Sequence, residues 1–209
     1  MQSLTTRGCA QRAIQLAFGL TASSMCEWSK FSRRCLLFAL LKHPNARINP
    51  PTEEDVDRFS HAIGIKHPLL LEEKVHAACD GLKLHIEQST NYLKQNQLYN
   101  GWTGGTYINS VFVFSPDGLI RMATFNAPGS WHDSTIADYG IYKKMRSVYN
   151  RCGGKVVVDS AFNLTFGDYL IQSSQSDPII KDATYEESCQ AKRLNDQATS
   201  LRQLSLIHI

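Results

Sequence analysis

The 209-residue sequence lacks several features that would place a protein in a familiar class at once. No apolar run reaches the roughly 18 residues that a membrane-spanning helix needs, and the longest candidate, CLLFALL, is flanked by Arg34 and Lys42. The N-terminal stretch MQSLTTRGCAQRAIQ has neither the apolar segment nor the cleavage pattern of a secretory signal. We therefore expect no membrane association and a nuclear or cytoplasmic location.

Cysteine pairs and common catalytic motifs are also missing. The six cysteines are scattered, and no two form a Cys-x-x-Cys pair, which argues against a zinc ribbon and a dense disulfide framework. The sequence has no Gly-x-Ser-x-Gly, P-loop or Gly-x-Gly-x-x-Gly pattern. A hydrolase or nucleotide-binding enzyme of those classes is therefore disfavoured.

Positive charge is concentrated in residues 1–50, which contain seven basic residues against the single acid Glu27. Two helices are predicted there, CAQRAIQLAFGL and MCEWSKFSRRCLLFALL, separated by the glycine-centred break GLTASS. This pattern is typical of a helix-turn-helix, although two core helices of a small bundle would look the same. Contact with DNA would come from three basic residues of the second helix: Lys30, Arg33 and Arg34.

The rest of the sequence predicts a linker followed by an α/β domain. A proline-containing polar stretch leads into a helix capped by Thr52, so residues 51–74 are predicted as linker and helix. The α/β domain begins near Val75. Its predicted elements are strand 76–88, polar stretch 89–105, strand 106–115, a Pro-Asp-Gly turn, strand 119–127, helix 134–149 and strand 155–160. This order indicates a mixed sheet with flanking helices.

Two aspartates stand where apolar strand patterns are interrupted. Asp80 breaks an alternating strand, and Asp159 ends a run of three valines. An unpaired ionised carboxylate beside apolar neighbours is strongly disfavoured unless a cation compensates it, so the two together suggest a shared divalent metal. Each one alone also fits an aspartate that is hydrogen-bonded to backbone amides at a strand end.

A third aspartate, Asp133, follows the turn in NAPGSWHDSTIAD. Ser130 and Asp133 have the Ser-x-x-Asp spacing of a capping box, so Asp133 is expected to cap a helix or support the site, with direct metal ligation as the alternative. His132 is expected to be a hydrogen-bonding partner rather than a ligand. Trp131 and Trp102 are expected to pack against the domain, with base stacking as the alternative.

Four stretches resemble, in this order, the catalytic region of Harbinger-type (PIF/Harbinger) transposases, which are DDE superfamily endonucleases: CDGLKLHI, FNAPGSWHDSTIAD, VVVDSAF and NDQATSLRQ. The resemblance extends over about residues 10–205 and includes a helix-turn-helix before the catalytic region. It implies an RNase H-like nuclease domain over residues 75–205. In that family two aspartates and one glutamate bind two Mg2+ or Mn2+ ions, and double-stranded DNA is cut and joined.

The resemblance assigns roles to the aspartates. The first and fourth strands of an RNase H-like sheet lie side by side, so Asp80 and Asp159 would be the catalytic residues and would hold metals roughly 4 Å apart. Asp133 is the further candidate metal ligand. Supporting roles at this site are expected for three polar residues: Ser130, His132 and Ser160.

The family also needs an acidic residue on its C-terminal helix, which by resemblance would lie near Leu206. No acid stands there, and Asp196 comes too early. We therefore expect residues 206–209 to be an atypical, truncated end. The chain would then be a transposase-derived, metal-dependent DNA endonuclease and strand transferase with little or no activity as written. The alternative is a non-catalytic remnant that binds DNA or another protein, with a second DNA-binding protein or a second copy of the chain as partner.

Overall fold

The structure, a computed structural model, describes residues 11–162, 167–173 and 184–206. The chain divides into two compact units, residues 1–47 and 48–209, which are described separately. The first two residues of the first predicted helix, and the last three of the predicted atypical end, lie outside the described residues.

In its described part the first unit contains two α-helices, α1 (Gln11–Phe18) and α2 (Ala22–Lys42), followed by a short 3-10 helix (Pro44–Ala46). Gly19 lies between them with φ +63°, a left-handed conformation that glycine adopts without strain. Thr21 caps α2, because its Oγ1 accepts a hydrogen bond from the Ser24 amide at 3.1 Å. The predicted pair of helices and the glycine-centred break are therefore present.

Large apolar residues recur at helical spacing along α2, but few of them are buried. Met25 is buried, whereas Trp28, Phe31 and Phe38 are 51%, 58% and 61% exposed. A stripe at helical spacing therefore does not by itself ensure burial, because burial needs a partner surface as well.

The second unit contains six helices and six strands in its described part. In chain order these are α3 (Glu53–Gly64), α4 (Pro68–Glu72), β1 (Val75–His85), α5 (Tyr92–Leu98), β2 (Tyr99–Asn100), β3 (Gly105–Phe114), β4 (Ile120–Pro128), α6 (Asp133–Asp138), α7 (Ile141–Cys152), β5 (Lys155–Asp159), β6 (Leu170–Ser173) and α8 (Tyr185–Leu206).

The strands form one mixed sheet in the order β4-β3-β1-β5-β6, with β2 pairing with the first residues of β3. Strands β1, β3 and β4 are antiparallel neighbours, whereas β5 runs parallel to β1 and β6 runs parallel to β5. Helices flank this sheet. The fold is therefore the predicted α/β class, and it is compatible with the expected RNase H-like architecture.

The two faces of the sheet are covered by different helices. Side chains alternate along a strand, so Cys79 and Val158 face one side, where they pack with Ile136 of α6 and Met145 of α7. Val157 faces the other side and packs with Ala198 of α8. Helix α8 therefore covers the face of the sheet on which the Val157 side chain lies.

Local sequence signals explain most element boundaries. Thr52 and Asp55 form a capping box at the start of α3, as predicted. The predicted turn between β3 and β4 is present, and Gly118 there has φ +79°. The helix predicted over 134–149 is divided into α6 and α7, because Gly140 with φ +142° interrupts it.

The structure also bears on the cysteines and on membrane-spanning helices. Cys26, Cys35, Cys79, Cys152 and Cys189 are free thiols, as expected. Among the helices that the structure describes, none combines the length and the apolar character needed to cross a bilayer.

Candidate active site

The two central parallel strands bring Asp80 and Asp159 together. In the pairing of β1 with β5, Ala78 is opposite Val157. Continuing this register by two residues places Asp80 level with Asp159, and both then point to the face that α8 covers. The two aspartates thus lie on neighbouring strands, Asp80 in the middle of β1 and Asp159 at the end of β5. Their role as metal ligands stays a prediction.

Asp80 is buried, with 7% of its surface exposed. Its Oδ1 accepts a hydrogen bond from the Gly81 amide at 2.9 Å, whereas its Oδ2 is buried and has no hydrogen-bond partner among the described residues. Burial raises the pKa of Asp80, and the nearby carboxylates of Asp159 and Asp133 add to this rise, against the Gly81 amide and the Arg202 charge. The buried oxygen therefore lacks a donor or a cation.

The Asp159 carboxylate has more hydrogen-bond and ionic partners than the Asp80 carboxylate. Its Oδ1 accepts hydrogen bonds from the backbone amide and from Oγ of Ser160, the latter at 3.0 Å. The same oxygen lies 2.8 Å from Nη1 of Arg202, which makes an ion pair. Ser160 therefore supports the Asp159 carboxylate directly, as its expected supporting role requires.

Arg202 of α8 was not identified from the sequence. Its Nη1 also donates to Oγ of Ser173 on β6 at 3.3 Å, and only 19% of its side chain is exposed. The helix position that reaches Asp159 therefore carries a cation, one turn before the position near Leu206 where an acid was expected. Asp196, on the same helix, is exposed.

Asp133 begins α6, but the predicted capping box is wrong. The N-cap residue is His132, and its side chain makes no capping hydrogen bond. Ser130 lies before the N-cap, and its Oγ donates instead to the backbone oxygen of Gln97 at 2.9 Å. The spacing was right for a capping box, but capping needs the serine at the N-cap itself.

The Asp133 carboxylate lies against Gly81. A Cβ atom on Gly81 would be 2.5 Å from Oδ2 of Asp133, so any larger residue at position 81 would require the Asp133 carboxylate to move. Because side chains alternate along β1, Gly81 presents the sheet face opposite to Asp80. Burial raises the pKa of Asp133, Lys83 and His132 lower it, and Asp159 raises it further. This placement favours a supporting role for Asp133 over direct ligation with Asp80.

The two tryptophans near the site behave differently. Trp131 packs against the core and stacks on Tyr139 with ring centroids 4.9 Å apart. Trp102 is 95% exposed, so the expectation that it packs is wrong. Oδ1 of the buried Asn100 accepts from the Trp102 amide at 3.1 Å, and its Nδ2 donates to the Gly129 oxygen at 2.7 Å. The exposed indole thus sits on a turn anchored to the loop that leads to Asp133.

The three basic residues predicted to contact DNA lie on the surface of α2. Lys30 pairs with Glu27 at 3.0 Å, and Nε of Arg33 donates to the Ser29 oxygen at 3.2 Å. Arg34 is exposed one position further along the helix. Their spacing places Lys30, Arg33 and Arg34 on one side of the helix.

The donor set formed by Asp80 and Asp159 fits a hard divalent cation. Asp80 and Asp159 offer carboxylate oxygens only, as Mg2+ and Mn2+ prefer, and the buried Oδ2 of Asp80 has no other partner in the described part of the chain. No group of three or more His, Cys, Asp or Glu side chains is arranged to hold a metal among the residues described. The pair therefore fits a metal, but it is a two-carboxylate site.

A mixed sheet with paired carboxylates on two central parallel strands defines the general class of the protein: an α/β domain with an acidic site between β1 and β5. The sequence matches the DDE superfamily endonucleases over residues 79–205, which is more than half of the chain. The chain belongs to this family, whose members generally use divalent metals and act on DNA. No curated protein and no solved structure matches it.

Proposed function

We propose that the chain is a Harbinger-type transposase derivative whose Asp80 and Asp159 hold a divalent cation, Mg2+ or Mn2+, for phosphodiester chemistry on double-stranded DNA. The observation that carries this proposal is the level placement of the two carboxylates, one of which has a buried oxygen without a partner among the described residues. A bound cation would compensate both charges and activate a water molecule for attack on phosphorus.

The protein's own residues have defined tasks in this proposal. Asp80 and Asp159 orient the cation, and the Ser160 amide and hydroxyl fix the Asp159 carboxylate in place. Asp133 supports strand β1 next to Asp80, because its carboxylate fills the space over Gly81. Burial raises the pKa of Asp133, and Lys83 and the adjacent His132 act against this rise. No step is assigned to Ser130, which binds the backbone at Gln97.

Contact with DNA is proposed for two surfaces, each described within its own unit. Lys30, Arg33 and Arg34 on α2 would bind backbone phosphates. Trp102 offers an exposed indole on an anchored turn, which suits stacking on an unpaired base. A DNA partner favours a nuclear location, which is part of the proposal.

Cleavage by this arrangement is proposed to be weak. Two-metal catalysis depends on anionic ligands that hold both ions in place. The described residues supply one carboxylate on β1 and one on β5, and α8 directs the positive charge of Arg202 at the second of them. This feature favours the second candidate function, a DNA-binding transposase remnant without efficient cleavage.

Metal titration and plasmid nicking on the full chain test the proposal. Mn2+ should bind weakly, and Asp80→Asn or Asp159→Asn should abolish the binding. Asp196→Asn is the matched control, because Asp196 is an exposed acid on α8, and it should bind Mn2+ as the unchanged protein does. Supercoiled plasmid should be nicked slowly or not at all. Absence of any Mn2+ binding would refute the metal site, and robust nicking that Asp159→Ala abolishes would refute the weak-activity proposal.

A further inference from the structure

The Arg202 side chain is held at the carboxylate pair by a well-packed helix. Ala198, one turn earlier on α8, is fully buried against the sheet, and Leu201 packs at the edge of the same cluster. Nη1 of Arg202 then contacts both Asp159 on β5 and Ser173 on β6. The guanidinium is thus positioned over the carboxyl ends of two neighbouring strands by the way in which α8 packs.

The hydrogen bonds and the ion pair at Oδ1 of Asp159 leave little room for a metal at that oxygen. A carboxylate oxygen has about two lone-pair positions, and Oδ1 of Asp159 already receives the Ser160 amide, the Ser160 hydroxyl and Arg202. A cation that binds this oxygen must displace a donor. The two Ser160 donors are adjacent in the chain and stay nearby, whereas Arg202 reaches the oxygen on a long flexible side chain.

Charge leads to the same conclusion. Asp80 and Asp159 lie level on adjacent strands, so their ionised forms repel one another. Arginine stays protonated and cannot be neutralised by its surroundings, and its charge acts on Asp80 as well as on Asp159. Arg202 therefore supplies, within the chain, part of the positive charge that a divalent cation would bring.

We propose that Arg202 is an internal counter-ion that competes with divalent metal for Oδ1 of Asp159, so that the Arg202–Asp159 ion pair holds the metal-free site and a metal reaches this oxygen only when the pair opens. Position 202 is then the place on α8 from which a side chain reaches the metal. This inference rests on the proposed metal site at Asp80 and Asp159. The Arg202–Asp159 ion pair would account for the weak metal binding that is proposed above.

Mn2+ affinity of the full chain, measured by calorimetry and by electron paramagnetic resonance of the free ion, tests the inference. Arg202→Gln should bind Mn2+ about fivefold to tenfold more tightly, the ratio expected when a partly exposed competing ion pair is lost. Arg202→Glu should bind more tightly still, because it adds a carboxylate at that position. The matched control is Arg193→Gln, an exposed arginine on the same helix, which should leave the affinity unchanged.

Thermal unfolding provides a readout that does not depend on activity. Without metal, Arg202→Glu should lower the melting temperature, because three carboxylates then meet, and Mn2+ should restore it by binding the folded state. Arg202→Gln and Asp159→Asn should show non-additive effects on metal-free stability, as expected for a pair in contact.

The outcomes separate the inference from the proposed function. If the unchanged protein binds Mn2+ through Asp80 and Asp159, but Arg202→Gln binds it equally or more weakly, the counter-ion role is wrong and the metal site stands. If no variant binds Mn2+, including Arg202→Glu, both are wrong. Tighter binding by Arg202→Gln and Arg202→Glu, with no change in Arg193→Gln, supports the inference.

Discussion

Asp159 and Arg202 form an ion pair between β5 and α8, with 2.8 Å between Oδ1 and Nη1. The pair has a physical cause in the sheet. Parallel pairing of β1 with β5 brings Asp80 level with Asp159, and two carboxylates at short range in a partly buried site need positive charge. In the described part of the chain, α8 supplies that charge with Arg202. The relation between metal and Arg202 is therefore central to what the site does.

The first prediction concerns the unfavourable charge on Asp80. Burial raises the pKa of Asp80, so the folded protein holds this proton more tightly than the unfolded chain does. The protonated Asp80 therefore makes its full contribution to the free energy of unfolding below the unfolded-state pKa of about 3.9. This contribution is lost as the pH rises through the pKa of Asp80 in the folded protein. Asp80→Asn, which imitates the protonated form, should therefore stabilise the metal-free protein at pH 7 by about 1–3 kcal/mol.

Urea unfolding in the presence of a chelator, at pH 7 and at pH 4, measures this effect. The gain from Asp80→Asn should shrink as the pH is lowered from 7 to 4, because the raised pKa of Asp80 favours protonation of the wild-type carboxyl in the folded state. Asp196→Asn should change stability little at either pH, since Asp196 is exposed. A destabilised Asp80→Asn protein at pH 7 would show that the ionised carboxylate is already compensated.

The second prediction concerns the close approach of Gly81 to Asp133. Gly81→Ala would place Cβ 2.5 Å from Oδ2 of Asp133, so the Asp133 side chain, β1 or the start of α6 must shift. Overpacking of this kind typically destabilises by about 1–3 kcal/mol. Chemical denaturation should show this loss, and adding Asp133→Ala should recover part of it, because the two positions share one contact.

Gly101→Ala is the matched control for this experiment. Gly101 has open space around its Cβ position and no left-handed backbone conformation, so the substitution should change stability by less than about 0.5 kcal/mol. If the Gly81→Ala effect and the Asp133→Ala effect simply add, then the proposed contact is not what makes Gly81→Ala destabilising.

Much of the sheet could be predicted from the sequence, because the signals are local. Alternating apolar residues located β1, and the turn closed by Gly118 separated β3 from β4. The strands β2 and β6 were missed. Strand β2 has only two residues in a polar stretch, and its position depends on Asn100, which bonds to the distant Gly129. No periodicity in the sequence encodes such a contact.

The candidate site was predictable only in part, for a related reason. Asp80 and Asp159 each interrupt an apolar strand, so their strand positions can be read from the sequence. Arg202 is an ordinary polar residue of an amphipathic helix until α8 packs on the sheet and turns it towards Asp159. Likewise, the contact of Asp133 with Gly81 joins segments far apart in the chain. Both depend on tertiary packing, which residue spacing does not report.

The third prediction concerns His76, which is fully buried in β1 and has no hydrogen bond of normal geometry at either ring nitrogen among the described residues. Burial lowers the pKa of His76 from 6.5 to about 4. The unfolded chain therefore binds this proton more readily, so stability is full above pH 6.5 and is lost as pH falls towards 4. The loss attributable to His76 should be roughly 3 kcal/mol.

Unfolding free energies between pH 7 and pH 4 check this prediction. His76→Leu should remove most of this component of the pH dependence, because it leaves no titrating group in the strand. The exposed His61 provides the control, and His61→Gln should retain the full dependence. An identical pH profile for His76→Leu and the unchanged protein would mean that the acid sensitivity arises elsewhere.

The fourth prediction concerns the basic surface of α2. Replacing Lys30, Arg33 and Arg34 by glutamine in the full chain should weaken binding to duplex DNA, because each phosphate contact releases counterions. It should also flatten the salt dependence: the slope of log K against log salt should fall by about 0.9 for each contact removed. Fluorescence anisotropy with a labelled duplex between 50 and 200 mM salt, roughly the range over which such contacts lose most affinity, measures both quantities.

Trp102→Ala is the comparison variant for this experiment, because it removes an aromatic side chain without removing charge. The indole is 95% exposed, so its loss should not change the melting temperature. If it stacks on a base, affinity for DNA with unpaired bases should fall by about 1–3 kcal/mol, whereas the salt slope should stay unchanged because no charge is removed. A triple glutamine variant with an unaltered salt slope would contradict phosphate contact by α2 and would support the alternative that α1 and α2 belong to an ordinary helical bundle.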